Sequence, residues 1–403
     1  MTSGLNPYLV APATQRWRPA GMYLLLPLGL ACVLLAAHYD GVLGTPDDFN
    51  PYRDILAALD APGIPSTTPA FPLLRDFTSL YLIAVIWLTV PITVDQWRQM
   101  HGTFSSLNGA GVLISRSSPT YSRVQELLGI RRVVEHGRAH GLTAEEAIFE
   151  VGNGFLARVG RFQPIVIVVS FVLAILITEG ERLNGVYSSF LGRQRTANSS
   201  HEVYAAWWAN SDHVGSYVAY FLCLTLGVYL VIVQNTVGLT AIWTILGFTA
   251  IYEFTLDYRN IDGNFGWASM ARVYRTVLVS LALHGTALGF TMAALGSDNW
   301  PWVLSMIVVW CTMLPSTTLG PLIAFRGLNK RAQDRKIAEL VAGQGARPMA
   351  DLAQDIEFVR QARAHPLVAR PKMQFSVLFV AILWPLILTL IQVYFSVREG
   401  GKK

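Results

Sequence analysis

Long runs of apolar residues alternate with polar segments along almost the whole chain. Seven runs approach the roughly 20 residues that a helix needs to cross the hydrocarbon core of a bilayer. They cover residues 21–37, 78–94, 163–178, 214–235, 274–296, 301–325 and 375–397. The pattern therefore predicts an all-α polytopic membrane protein with about seven transmembrane helices and helical cytoplasmic extensions.

The polar segments between these runs differ in charge, and the difference predicts how the chain is threaded. Loops rich in lysine and arginine stay on the cytoplasmic face of membrane proteins. The loop between the first two runs is rich in aspartate, whereas the segments 95–162 and 326–374 are rich in arginine and lysine. We therefore expect an integral protein of a prokaryotic inner (plasma) membrane, with the N-terminus and both basic segments in the cytoplasm.

This threading divides the chain into six segments. The predicted segments are a cytoplasmic leader at 1–20, spans 1 and 2 with an acidic outer loop at 21–94, a cytoplasmic helical segment at 95–162, spans 3 to 6 at 163–325, a basic cytoplasmic helical hairpin at 326–374, and span 7 with the tail at 375–403. Within the third segment, Gly141 is expected to end one helix and Thr143 to cap the next.

The fourth apolar run is unusually long, because no charged residue occurs between Tyr217 and Tyr252. Two spans with a turn near Gln234 would place the basic segment 326–374 outside, so the pattern favours one crossing. Either one long helix or a span followed by an interfacial helix satisfies this. About 38 helical residues extend nearly 60 Å, about twice the hydrocarbon core. Neighbouring helices or other subunits are expected to cover the excess apolar length.

Composition agrees with a membrane protein and changes the interpretation of the net charge. Hydrophobic residues make up 52% of the chain and charged residues only 14%, against about a quarter in soluble domains. The net charge of +5 is explained by positive loops beside hydrophobic spans. We therefore predict the lipid bilayer as a partner and no nucleic-acid partner.

Histidines and cysteines show no spacing typical of a metal centre or a disulfide framework. His136 and His140 stand four residues apart on a predicted helix and could share a metal, but a solvated helix face is the favoured interpretation. No motif of a nucleophilic enzyme occurs. We predict no metal and no cofactor. Whether the protein is an enzyme stays open, and the pattern favours a protein without catalytic activity.

One predicted outer loop concentrates polar and aromatic residues around the pair Trp207-Trp208. A metal or ligand site there is one interpretation, and interfacial aromatic anchors are the favoured one. The polar residues concerned are His201, Glu202, Asp212 and His213.

A histidine inside the fifth apolar run is the strongest candidate for intramembrane chemistry. An ionisable residue at this depth usually faces a protein interior or a wet cavity. His284 is followed by Gly285 and precedes Gly289, a pair of small residues that lets helices approach closely. A functional histidine and a histidine hydrogen-bonded across a tight helix contact are therefore both open.

The last two apolar runs carry features typical of a kink and of a weakly polar helix face. Pro315 is followed by hydroxyl residues that can satisfy the backbone groups it frees. Thr389, Gln392 and Tyr394 form a polar stripe near the end of the seventh run, as a narrow pore lining requires. Charged residues within the spans are nearly absent, and no internal repeat is evident. Both observations count against a proton-coupled pump or an inverted-repeat transporter.

The stretch RNIDGNFGW, at 259–267, interrupts the apolar pattern between the fourth and fifth runs. Asp262, Gly263 and Gly266 are turn formers, and Arg259 could pair with Asp262. A cytoplasmic turn that reverses the helix is the favoured interpretation, and a gate or hinge is the alternative. The stretch resembles an H-P-D-G-x-G-G-L motif of a family of uncharacterised prokaryotic multi-pass proteins. Asp262, Gly263 and Gly266 carry that resemblance.

The predicted layout, rather than any motif, is also similar to that of insect chemoreceptor channels. Those proteins have seven spans, a cytoplasmic N-terminus, a long fourth helix and cytoplasmic helical extensions. The resemblance implies a homo-oligomer such as a tetramer, with the last span around a cation pore.

Three classes of function follow from these observations. The leading hypothesis is a homo-oligomeric channel or channel-like sensor that passes small ions. The first alternative is a membrane-embedded enzyme or lipid-handling protein that uses His284. The second alternative is a non-catalytic accessory membrane subunit.

The channel hypothesis makes a direct prediction about the seventh run. Gln392→Leu or Thr389→Val should change ion flux into liposomes that contain the purified protein, because each removes a polar group from the expected pore lining. Unchanged flux in both variants would remove this helix from the pore.

Overall fold

The computed structural model describes residues 4–16, 19–44, 71–184, 186, 204–257, 262–295, 320–343 and 348–361. Helices dominate these residues, as predicted. The helices are α1 (Pro19–Met22), α2 (Leu25–Tyr39), α3 (Phe77–Gly109), α4 (Arg123–Leu127), α5 (Ile130–Ala139), α6 (Ala144–Arg161), α7 (Gln163–Asn184), α8 (Val214–Ile251), α9 (Ala268–Leu295), α10 (Gly320–Ala342) and α11 (Met349–Gln361).

Three of the described helices are long and apolar enough to cross a membrane. The qualifying stretches are Thr78–Gly109 in α3, Gln163–Leu183 in α7 and Val214–Ile251, which is all of α8. They correspond to the predicted spans 78–94, 163–178 and 214–235. The first predicted span overlaps the shorter apolar helix α2, and the fifth overlaps α9 as far as Leu295. The stretches 301–319 and 375–397 lie outside the described residues, so seven spans remain a prediction.

The fourth apolar run forms a single helix, which confirms one of the two predicted arrangements. The 38 residues of α8 extend about 57 Å at the usual rise per residue. The chain itself covers the excess length, because α8 packs against α6 as well as α3. At this contact a Cβ on Gly247 would lie 2.9 Å from Ile148 Cδ1, and one on Gly152 3.2 Å from Thr244 Oγ1. Glycines therefore let the two helices approach closely.

Two hydrophobic clusters hold the helices together at opposite ends of the structure. The Asp76 end is where α3 and α8 begin and α7 ends, and the Trp267 end is where α8 ends and α9 begins. The cluster at the Asp76 end includes Val33, Leu73, Ile83, Trp207, Trp208 and Tyr220. The cluster at the Trp267 end includes Trp97, Val134, Ile148, Leu156, Phe248 and Trp267.

A two-stranded antiparallel ribbon lies at the Trp267 end, so the described part is not purely α-helical. Strand β1 (Leu113–Ser115) pairs with β2 (Tyr252–Phe254), with Leu113 opposite Phe254. The sequence pattern predicted a helical segment at 95–162 and no strand within it. Strands of three residues are too short to show an alternation of apolar and polar positions, and β2 directly follows the apolar pattern of α8.

The N-terminal leader is part of the folded body. The backbone N–H of Asn6 donates to Asn153 Oδ1 at 2.8 Å, and Asn153 Nδ2 donates to the carbonyl of Gly4 at 3.1 Å. His101 Nδ1 lies 3.1 Å from the carbonyl of Leu5. These contacts fix residues 4–6 against α6 and α3, and the Leu5 side chain is buried.

Local capping follows the sequence signals between α5 and α6. α5 ends at Ala139, and Gly141 has a φ of 78°. Thr143 and Glu146 form the reciprocal hydrogen bonds of a capping box. The hydrogen bonds that Glu146 accepts from the Thr143 backbone and hydroxyl lower the pKa of its carboxyl group.

A buried carboxylate, Asp76, organises the Asp76 end. It caps α3 by accepting from the Ser79 backbone N–H at 2.9 Å and from the Ser79 hydroxyl at 2.6 Å. The indole N–H groups of Trp207 and Trp208 donate to its Oδ2 at 2.8 and 2.9 Å. One side chain therefore joins a helix start to the residues that precede α8. Both tryptophans are buried, so they are core residues rather than interfacial anchors.

Replacing Asp76 should therefore destabilise this end of the protein. In Asp76→Asn, the amide NH₂ group cannot accept the bonds that one carboxylate oxygen accepts now. We expect a loss of about 3 kcal/mol, on the scale of leaving buried donors unpaired. Thermal unfolding of the purified protein in lipid nanodiscs measures the change.

The matched control is Asp212→Asn, in the same segment as the tryptophans but exposed. It should stay within about 0.5 kcal/mol of the parent protein. Equal melting temperatures for the Asp76 and Asp212 variants would contradict the role given to Asp76.

Candidate functional site

A chain of buried polar side chains joins the three helices α3, α8 and α9. Gln234 Nε2 donates to Gln96 Oε1 at 3.2 Å and to Ser280 Oγ at 3.0 Å. His284 lies one turn after Ser280 on α9, and its Nδ1 is 3.4 Å from Ser280 Oγ. The other ring nitrogen of His284 lies 3.5 Å from Thr89 Oγ1. The network therefore holds the histidine between α9 and α3.

Hydrogen bonding determines which nitrogen of His284 carries the hydrogen in the neutral ring. Nδ1 lies 2.6 Å from the carbonyl oxygen of Ser280, and a carbonyl only accepts, so Nδ1 is assigned as the donor. The Thr89 hydroxyl donates to the Val85 carbonyl at 2.7 Å. No described donor therefore engages Nε2 strongly, and this nitrogen keeps hydrogen-bond acceptor capacity.

The polar network forms one end of a cavity of about 160 Å³. Gln96, Gln234, Ser280 and His284 line that end. The rest of the wall is almost entirely apolar. It includes Met100, Phe104, Phe149, Ile245, Phe248 and Val277. No lysine, arginine, aspartate or glutamate is among the described residues that line the cavity.

The fold brings distant parts of the chain together around this cavity. Helices α3, α6, α8 and α9 supply most of the wall. Leu5 of the leader, Leu113 of β1 and Phe254 of β2 complete it at the Trp267 end. The leader and the ribbon, which the sequence pattern did not assign to any site, therefore help to close it.

The ribbon is fixed to α6 by a hydrogen-bonded tyrosine. Tyr252 OH donates to Glu145 Oε2 at 2.6 Å. Burial raises the pKa of Tyr252, and the hydrogen bond to Glu145 raises it further. The phenol therefore stays a neutral donor over the physiological pH range.

The predicted turn before α9 is present, and Asp262 organises it. Its side chain accepts from the backbone N–H groups of Asn264, Gly266 and Ala268 at 2.8 to 2.9 Å. The backbone N–H of Asp257 donates to the Phe265 carbonyl at 2.9 Å. The turn thus reverses the chain and starts α9. A gating role for it remains a hypothesis.

Positive backbone angles explain why the turn contains two glycines. Gly263 and Gly266 have φ values of 68° and 87°, and the intervening Phe265 has a φ of 54°. The Phe265 ring is buried and packs against Phe358, with ring centroids 5.3 Å apart. A Cβ on Gly266 would overlap Val112 Cγ2, whereas one on Gly263 would meet open space.

Asp262, Gly263 and Gly266 are not among the residues that line the cavity. The turn lies at the start of α9, about 24 Å along the helix axis from His284. Outside the described residues lie Arg259, Pro315, Thr389, Gln392, Tyr394, His201 and Glu202.

His136 and His140, the pair that could share a metal, have no third ligand among the described residues. The rings of His136 and His140 have centroids 4.2 Å apart, and His140 Nδ1 lies 2.8 Å from the His136 carbonyl. Within the described ranges, no group of three or more histidine, cysteine, aspartate or glutamate side chains could hold a metal ion.

Sequence reasoning missed two kinds of polar residue. Gln96 and Gln234 are single amides in or beside apolar runs, and the sequence pattern marks Gln234 only as a possible turn. Glu181 was missed because the third apolar run was ended at residue 178. α7 continues to Asn184 and carries Glu179, Glu181 and Arg182, so the inferred near-absence of charged residues is wrong for this helix.

Comparison with known proteins found no matching family, no matching curated protein and no matching solved structure.

The geometry of the turn predicts different effects for its two glycines. Gly263→Ala should cost about 1 kcal/mol, because alanine at a positive φ is strained. Gly266→Ala carries the same strain and also the overlap with Val112, so it should cost about 3 kcal/mol in total. Thermal unfolding in nanodiscs measures both.

Because both positions have positive φ, Gly263→Ala is the control for backbone strain. Equal destabilisation by the two substitutions would show that the contact with Val112 contributes nothing.

Proposed function

We propose that this protein binds an uncharged amphiphile in the His284 cavity, and so belongs to the class of lipid-handling membrane proteins. The observation that carries the proposal is an apolar cavity that ends in hydrogen-bonding groups from three helices. This combination suits a molecule with an apolar chain and a single hydroxyl or carbonyl head.

The apolar wall favours a hydrocarbon chain. Phe104, Phe149 and Phe248 line it beside aliphatic residues. A dry cavity of roughly 150 Å³ in another protein binds benzene, so this volume fits about that amount of hydrocarbon. A longer chain would continue beyond the cavity, between the helices.

The polar end favours a neutral head. Burying a charged group without a partner is very costly, and no described lining residue carries an opposite charge. His284 Nε2 can accept a hydrogen bond from a hydroxyl group, and the Gln96 and Gln234 amides can both donate and accept. An alcohol, a phenol or a neutral acylglycerol has this chemistry.

The same site supports binding better than catalysis. Among the described lining residues, the groups that could act as general bases or nucleophiles are His284, Tyr274 and the hydroxyls of serine and threonine. No described carboxylate lies in the cavity to orient the ring. The channel hypothesis depends on residues 389–394 and on an oligomer, for which the described contacts offer no support.

The experiment uses a long-chain alcohol that carries a photoreactive diazirine near the middle of its chain. The full-length protein in nanodiscs is irradiated with this probe, digested and analysed by mass spectrometry. Label is expected on cavity residues of α3 and α8. Ala241→Phe should reduce that label at least several-fold, because Ala241 lines the cavity and the larger ring fills it.

Two controls separate the cavity from the surrounding lipid. Leu239→Phe, on the same helix but 55% exposed, should leave the cavity label unchanged. A probe of equal length with a carboxylate head should label the cavity less. Label restricted to exposed residues of α7, or equal cavity label in the Ala241 and Leu239 variants, would overturn the proposal.

A further inference from the structure

A glutamate in the last turn of α7 is buried with half of its carboxyl group unpartnered. Glu181 is only 5% exposed. Its Oε1 accepts a hydrogen bond from the Tyr220 hydroxyl at 2.8 Å. Its Oε2 is also buried and has no hydrogen-bond partner. A buried polar atom without a partner calls for a ligand or another explanation.

A second buried carboxylate, that of Asp76, has the hydrogen bonds that Glu181 lacks. Asp76 accepts four hydrogen bonds from backbone, hydroxyl and indole donors, so its negative charge is well satisfied. It is close enough to Glu181 to act on it electrostatically. The edges of the Trp207 and Trp208 rings meet the Tyr220 ring, with centroids 5.0 and 5.8 Å apart. This aromatic packing surrounds the hydrogen bond to Glu181 with apolar groups.

No described cation compensates Glu181. Arg182 is half-exposed, and its guanidinium pairs with Glu179 at 2.7 Å. The titratable groups that face Glu181 from other elements are Asp76, Tyr220 and Tyr204. None of them supplies a positive charge, and burial raises the pKa of Tyr204, which keeps it neutral.

A further buried oxygen lies in the same region. Ser216 is fully buried, and its Oγ has no hydrogen-bond partner. It precedes Tyr220 by one turn on the same face of α8. Two unpartnered oxygens and the carboxylates of Glu181 and Asp76, with no compensating cation for Glu181 among the described residues, favour a small positively charged ligand.

We propose that Glu181 is a proton-binding site that exchanges with the aqueous phase at the Asp76 end. Binding forms one O–H bond at Oε2, with the proton taken from water or buffer, and release returns it there. The protonated group removes the repulsion from Asp76 and the cost of a bare buried carboxylate. Glu181 lies three residues from the end of α7, so the path to water is short.

Infrared spectroscopy of the full-length protein in nanodiscs tests the proposal. A carboxylic acid has a C=O stretching band separate from that of carboxylate. At neutral pH we expect such a band in the parent protein. It should shift on transfer to D₂O, because the proton exchanges, and weaken as the pH is raised. Glu181→Gln should lose the band.

The matched control is Glu179→Gln, two residues away on the half-exposed side of the same helix, which should keep the band. A band that survives in Glu181→Gln, or no band in the parent protein, would overturn the proposal. So would a band that fails to shift in D₂O, since that proton does not exchange. A band that appears only after sodium and potassium are removed would assign the site to a metal cation instead.

A second variant keeps the test valid if Glu181→Gln does not fold. Tyr220→Phe removes the donor to Oε1 and should shift the frequency of the same band. A band at unchanged frequency in Tyr220→Phe would show that it does not come from Glu181. Near-ultraviolet circular dichroism, which reports on the buried tryptophans, checks that each variant is folded.

Discussion

The length of α8 is the constraint on which the rest of the structure depends. Its 38 residues carry no charge, yet about half of its 57 Å length exceeds the hydrocarbon core of a bilayer. That excess would be exposed apolar surface unless protein covered it. The leader, α6 and the ribbon are the parts that do so, together with α3. The Trp267 end is therefore a protein core built around the part of α8 that exceeds the length needed to cross a bilayer.

The cavity follows from this arrangement. Apolar packing alone does not explain the amides of Gln96 and Gln234 at the contact between α3, α8 and α9. Their hydrogen bonds to each other and to Ser280 fix the three helices in register, and His284 lines the same cavity. A polar group buried in this way is costly without a partner. In the proposed function, the network therefore holds the head of the ligand and the phenylalanines contact its chain.

Much of this could be predicted from the sequence, and the failures have physical causes. Long apolar runs identified α3, α7 and α8. The single charge-free run at 217–252 predicted one crossing, either as one long helix or as a span followed by an interfacial helix. The capping of α6 by Thr143 and the turn at Asp262 follow from local side-chain chemistry. Tertiary contacts were not predictable. The ribbon strands are too short to alternate, the leader gains its structure from Asn153, and a lone glutamine in an apolar run does not show which partner it meets. The sequence around Trp207 and Trp208 is typical of interfacial anchors, because the pattern does not reveal that both indole N–H groups donate to Asp76.

The two buried carboxylates at the Asp76 end are hydrogen-bonded to different extents. At the Trp267 end, helix caps, the Asp262 turn and the Tyr252–Glu145 bond pair several polar groups around the cavity, while Trp97 Nε1 and Ser269 Oγ are buried without a partner among the described residues. At the Asp76 end, one carboxylate is fully hydrogen-bonded while Glu181 has one satisfied oxygen and one without a partner. If Glu181 had as many hydrogen-bond donors as Asp76, both carboxylates would be fully hydrogen-bonded. Because the donors are concentrated on Asp76, Glu181 Oε2 keeps an unused acceptor in a buried position, and this is the physical basis of the proton-binding site proposed at the Asp76 end.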